Sequence, residues 1–211
     1  MMNKYLNVVC VCSLAVLLSG CIGGETRPST FYSLSATEAD QTASMVRSAG
    51  MALRVGPFTF PDYLDRPNII TRSTGNRLIV DEFDRWAGSL ENDFHRVLGT
   101  NLGSLLETGS ISVYPSDSRM TAEYNVQGEI NIFEGALGDK VVLDVRWFVL
   151  DSRADRTYTS MKSFFVDDVT GEDYSALVEA QSRAAGRLSR EIASELQQIN
   201  ADSDISGSIN K

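Results

Sequence analysis

Three kinds of residue in this chain are candidates for chemistry: its cysteines, its histidine and a crowd of carboxylates. The cysteines fall at Cys10, Cys12 and Cys21. Cys10 and Cys12 lie within an apolar run, whereas Cys21 lies just past its end, after the small residues Ser19 and Gly20. The single histidine, His95, falls one step from the apolar stripe of a predicted helix. It has no Cys partner and no second His at metal-ligand spacing, so it reads as a residue on the boundary of the core. Asp81, Glu82 and Asp84 have the makings of an acid and a base, but no histidine or metal motif accompanies them, and a solvated edge is the simpler reading. The chain carries no G-x-S-x-G elbow, no Walker loop and no G-x-G-x-x-G between a strand and a helix. These residues point to a protein that is not an enzyme and holds no metal or dissociable cofactor.

The chemistry at Cys21 depends on what precedes it. Residues 1–20 have a positive charge at Lys4, an apolar stretch from Val8 to Leu18 and small residues before the cysteine, the layout of an export signal. The apolar stretch is shorter than the roughly 20 residues a spanning helix needs. Leu18-Ser19-Gly20-Cys21 resembles the bacterial lipobox, in which the thiol takes a diacylglycerol and a peptidase cuts just before it. On that reading residues 1–20 are removed and Cys21 carries a covalent diacylglycerol and an N-acyl chain. No thiol then remains for a disulfide, a Cys-rich metal site or a nucleophile. Stable anchoring takes more than one acyl chain, which such a cysteine supplies.

The chain has 19 basic and 28 acidic residues, a formal charge of −9. Loss of Lys4 makes the mature form more negative still, which argues against nucleic acid and against a polybasic grip on anionic lipid. Residues 21–29 read as a lipidated tether with Gly and Pro, residues 30–199 as a single domain, and residues 200–211 as a polar, disordered tail. Within the domain, Thr30–Leu34, Met51–Phe60, Asn68–Arg72 and Arg77–Val80 read as short strands. Leu90, Phe94, Val97, Leu98, Leu102 and Leu105 recur at helical spacing over residues 89–107, with Ser89 as N-cap. Alternation then marks three strands. Tyr124, Val126, Gly128, Ile130 and Ile132 share one face, Val141 to Val149 repeat the pattern, and a third strand covers 157–166. A second helix over 174–199 aligns Leu177, Ala184, Leu188, Ile192, Leu196 and Ile199. The fold class expected is α+β, a mainly antiparallel sheet with two long amphipathic helices on one face.

The segment Pro61-Asp62-Tyr63-Leu64-Asp65-Arg66-Pro67 has proline at both ends, which restricts the backbone and lowers the entropy lost on docking. It reads either as a partner-binding loop centred on Tyr63, Leu64, Asp65, Arg66 and Pro67 with Arg72 and Trp86 nearby, or as a rigid turn whose Asp65 and Arg66 pair locally. Trp86 fits a core or an interface equally well. YLDRPNIITR, FDRWA at 83–87, FYSL at 31–34 and VVLDVRWFVLD at 141–151 together resemble the PqiC/YmbA-like family, auxiliary lipoproteins of ABC-type, MCE-associated lipid transport systems. This chain departs from the family pattern after Ala87, where Gly88-Ser89 replaces an acidic residue and a proline. The resemblance implies an outer-membrane lipoprotein facing the periplasm, partnered with an MCE-domain protein, and leaves a homo-oligomer open. The alternatives are a module that carries lipid in a pocket of its own and a structural envelope lipoprotein. Small residues at Ala180, Ala184, Ala185 and Gly186 fit either close packing or such a pocket.

Everything in the anchoring argument depends on one sulfur. Cys21→Ser should abolish incorporation of an acyl probe in growing cells, and continued labelling of that variant would show the lipobox assignment to be wrong.

Overall fold

The computed structural model describes residues 27–37, 51–116, 120–153 and 156–209. The expected signal segment, Cys21 and most of the tether therefore lie outside the described residues. In chain order the elements are β1 (Thr30–Tyr32), β2 (Leu53–Thr59), β3 (Asn68–Arg72), β4 (Leu78–Trp86), α1 (Leu90–Leu105), β5 (Ile111–Val113), β6 (Tyr124–Gly135), β7 (Lys140–Asp151), β8 (Thr157–Asp168) and α2 (Tyr174–Ile209). They form one eight-stranded sheet and two helices, an α+β fold. Among the described residues no helix is long and apolar enough to cross a membrane.

The sheet is mixed. The long β6–β7 and β7–β8 ladders and the β3–β4 hairpin are antiparallel, as their short connecting turns require. β1–β4, β2–β5, β2–β6 and β3–β6 pair in parallel, an orientation that hydrophobic alternation does not encode. β2 and β3 lie along the same side of β6, β2 against its first half and β3 against its end. β5 is a three-residue strand beyond the elements the sequence marks, too short for a periodic signal.

Val141, Leu143, Val145, Trp147 and Val149 are fully buried, so β7 presents the face its alternation predicts. β6 does so only as far as Ile130. Its register with β7 shifts between Ile130 and Ile132, and the extra residue inverts the alternation beyond it. Phe133 is therefore fully buried, while Ile132, expected on the core face, is half-buried. α1 packs on β2 and β5 and α2 on β6, β7 and β8, with the two helices touching each other. Ser89 caps α1 as expected, accepting from the Asn92 N–H. Ala180, Ala184 and Ala185 are fully buried, and Gly186 lies so close to Thr37 that a Cβ there would collide with it. The small residues of α2 thus serve close packing. α2 also runs on to Ile209, through residues expected to form a disordered tail. Extending a helix that tertiary contacts have already nucleated adds one hydrogen bond per residue fixed.

His95 is the clearest departure from its expected place. It is fully buried in the core rather than on its boundary. The β2–β6 register breaks between Val55 and Phe58, where Gly56 takes φ 95° and Pro57 has no N–H to donate. A Cβ on Gly56 would stand 2.8 Å from that of Tyr114, so glycine is required there on two counts. Past the break, the Phe58 N–H donates to His95 Nε2 at 2.7 Å. A ring that accepts at Nε2 must be neutral, and burial pushes its pKa down from 6.5 to about 4. Above pH 6.5 both folded and unfolded chains hold a neutral ring and this contribution is complete. As pH falls towards 4 the unfolded chain takes a proton that the folded one refuses, at a cost of about 3 kcal/mol. Urea unfolding across that range should show the loss in the wild type and a flatter profile in His95→Gln; parallel profiles would show that His95 does not titrate in this way.

Candidate functional site

The proline-bounded segment leaves β2 at Pro61 and makes one turn of 3-10 helix over Asp62–Leu64, closed by Leu64 N–H to Pro61 O at 2.9 Å. The turn buries Leu64 and aims Tyr63 at the sheet. The Tyr63 hydroxyl donates to Glu134 Oε2 at 2.5 Å, and Arg72 Nε donates to Glu134 Oε1 at 2.7 Å, with a second bond from Arg72 Nη2 to the same oxygen. Glu134 is 1% exposed, a carboxylate that its donors must compensate. The β6 irregularity explains its position: Phe133 faces the helices, and strand alternation turns Glu134 to the opposite side, beneath the loop. Burial and the bond to Glu134 push the Tyr63 hydroxyl well above its ordinary value, and the same carboxylate raises Arg72.

β4 braces the loop from the other side. Its Trp86 is buried, and the Trp86 N–H donates to Pro67 O at 2.7 Å, pinning the end of the loop. Asp84 is 1% exposed and accepts from the Tyr32 hydroxyl at 2.8 Å and from Arg27 at 3.2 Å. Burial and that carboxylate push the Tyr32 hydroxyl up to about 12. Burial alone would raise the Asp81 carboxyl, but the N–H groups of Asp84 and Phe83 and the Tyr174 hydroxyl outweigh it and hold it below its ordinary value. The reading of these acids as a solvated edge therefore holds for Glu82 and fails for Asp84, because tyrosine hydroxyls distant in sequence fold onto this strand.

The structure thus divides the predicted site residues. Tyr63 and Arg72 meet on Glu134, while Leu64 and Trp86 are packed inside. Asp65, Arg66 and Pro67 are exposed, and no ion pair joins Asp65 to Arg66 among the described residues. Beside them Glu91 has its carboxyl raised by burial and then by the charge of Asp65. Glu134 is the residue that sequence reasoning misses; an acidic residue directly after the apolar pair Ile132-Phe133 is its only signal. Among the described residues no group of His, Cys, Asp and Glu is arranged to hold a metal ion.

A model of the family described as "ABC-type transport auxiliary lipoprotein component" matches residues 32–193. The chain is similar to the intermembrane transport lipoprotein PqiC of Escherichia coli (strain K12), 24% identical over 186 residues that cover 88% of this chain and 93% of the relative. The PqiC of Shigella flexneri matches with the same identity and coverage. A crystal structure of a protein from Xanthomonas campestris superposes with a TM-score of 0.68 at 16% identity, over 84% of this chain and 99% of that one, and shows the same fold.

The two halves of the loop should respond oppositely to mutation. Arg72→Met leaves Glu134 buried without its cation and should destabilise the domain by about 3 kcal/mol. Arg66→Ala should change stability by no more than about 0.5 kcal/mol. Urea unfolding of both variants checks this, and similar losses would mean that Arg66 is structural too.

Proposed function

Since the chain belongs to the family of ABC-type transport auxiliary lipoprotein components, we propose that it is a noncatalytic outer-membrane lipoprotein, facing the periplasm, that docks an MCE-domain protein of a lipid transport system. Cys21, with its diacylglycerol and N-acyl chain, supplies the attachment. Ile22 follows it in place of the Asp that resembles an inner-membrane retention signal, which supports sorting to the outer membrane. The domain's work is tethering and alignment, with no chemical step.

The observation that carries this reading is the exposed Asp65-Arg66-Pro67 tip on a loop that is otherwise locked. Tyr63, Leu64 and Trp86 hold it from behind, so docking would sacrifice little conformational entropy. A partner would meet one guanidinium at Arg66 and the acids Asp65 and Glu91, a pattern that a basic group set against a carboxylate would match. The closely packed alanines of α2 give no support to the alternative in which the domain carries lipid itself. Buried Trp86 is unsuited to a crosslinking probe, and Arg66 is the position of choice.

A photocrosslinker at position 66 in intact cells should capture an MCE-domain protein. Arg66→Ala should weaken binding of that partner by about 2 kcal/mol with melting unchanged. Wild-type affinity in a normally folded Arg66→Ala variant would remove the loop from the interface.

A further inference from the structure

Arg27 stands six positions after Cys21 and is already fixed to the domain. Its guanidinium donates to Asp84 at 3.2 Å and lies 5.7 Å from the centroid of the Phe83 ring. Three residues later β1 joins β4 in parallel, Thr30 opposite Asp84 and Tyr32 opposite Trp86. Parallel pairing fixes the direction from which the chain arrives. Residues 27–29 approach from the end at which β4 begins, where Leu78–Val80 follow the turn out of β3. Six peptide steps reach at most about 20 Å, so a lipid on Cys21 would hold the membrane within that distance of Arg27.

That end of the sheet carries apolar side chains that the core leaves uncovered. Ile79 is 45% exposed and Val80 48%. Neighbouring residues on a strand point to opposite faces, so neither face is covered here. Among the described residues β1 reaches only Asp84–Trp86 and nothing else pairs with the free side of β4 at Leu78–Val80. Arg77, in the adjoining turn, is exposed and donates to Ser73 Oγ at 2.9 Å. The Asp65–Pro67 tip lies at the opposite end of β3: Pro67 bonds Trp86, whereas Thr71 and Arg72 stand opposite Ile79 and Leu78.

We propose that Arg77, Ile79 and Val80 form a lipid-facing edge that rests in the headgroup layer of the membrane anchoring Cys21. The inference rests on the lipid-anchor reading above. Two apolar side chains enter the interfacial layer and the Arg77 guanidinium meets lipid phosphate, the division of labour of an interfacial contact. The anchor alone would leave the domain free to tumble on its tether. With this edge seated, the β3–β4 turn points to the membrane and Arg66 points away from it, towards a partner in the periplasm.

The test uses the lipidated full chain in vesicles of phosphatidylethanolamine and phosphatidylglycerol. An acylated Cys21 leaves no competing thiol, so a fluorophore can be placed singly through Val80→Cys, Ile79→Cys, Arg66→Cys or Phe164→Cys. Phe164, on β8, is 59% exposed and controls for exposed apolar surface in general. A nitroxide on the lipid headgroups should quench positions 79 and 80 severalfold more than 66 and 164. Equal quenching at all four, or stronger quenching at 164, overturns the lipid-facing edge. Intact mass on the same sample reports acylation. An acylated chain unquenched at 79 and 80 overturns this inference alone, and an unacylated chain overturns the anchor reading and the inference with it.

Discussion

A carboxylate taken out of water must find its hydrogen bonds within the protein. Glu134 finds them in Tyr63 and Arg72, and much of the molecule's outer geometry follows from that pairing. The two donors come from either side of β3, one from the loop before it and one from its last residue. Satisfying Glu134 therefore fixes the loop, the strand and the end of β6 as one unit. The irregularity in β6 is the precondition, because it turns Phe133 into the aromatic core with Phe94 and Phe60 and leaves Glu134 on the opposite face.

Polar side chains also hold together elements that lie far apart in sequence. Trp147 Nε1 donates to Ser163 Oγ, and Ser163 in turn donates to Glu191, which joins β7 and β8 to α2. Asn101 donates to Ser189 and accepts from the Thr37 N–H, so α1, α2 and the segment after β1 meet at one amide. Leu34 is clamped in the same way, its N–H by Asp93 and its carbonyl by Arg96. Each is a buried or partly buried bond whose loss would strand a partner, and together they select one arrangement of elements that apolar contact alone would leave interchangeable.

Where a single periodicity governs an element, the sequence is readable. The stripe of α1, the N-cap at Ser89 and the inward face of β7 all stand where spacing places them. What escapes is set by partners distant in the chain. Alternation gives the faces of a strand and is silent on whether its neighbour runs parallel, so the mixed pairing of β1, β2 and β3 is invisible to it. The one-residue slip in β6 reverses Ile132 and Phe133, and nothing local announces it. The burial of His95 needs the broken ladder at Gly56-Pro57, and that of Asp84 needs Tyr32. The loop was recognisable by its prolines and aromatic, but its division into buried Leu64 and exposed Arg66 depends on Glu134, about 70 residues away.

The order of the strands also bears on how the chain assembles. β6, β7 and β8 are consecutive hairpins, and α2 follows directly to cover them, so their contacts close short loops. β1 reaches β4, β2 reaches β5 and β6, and β3 reaches β6 across long stretches of sequence, and such closures lose more chain entropy before any contact rewards it. The C-terminal meander with its helix is then the natural folding nucleus, and the N-terminal strands are late arrivals. If Cys21 carries the proposed anchor, the part of the domain nearest to it would be the last to become ordered and the first to open. Native-state fluctuations would be concentrated between the membrane and the nucleus, leaving the long antiparallel ladders undisturbed.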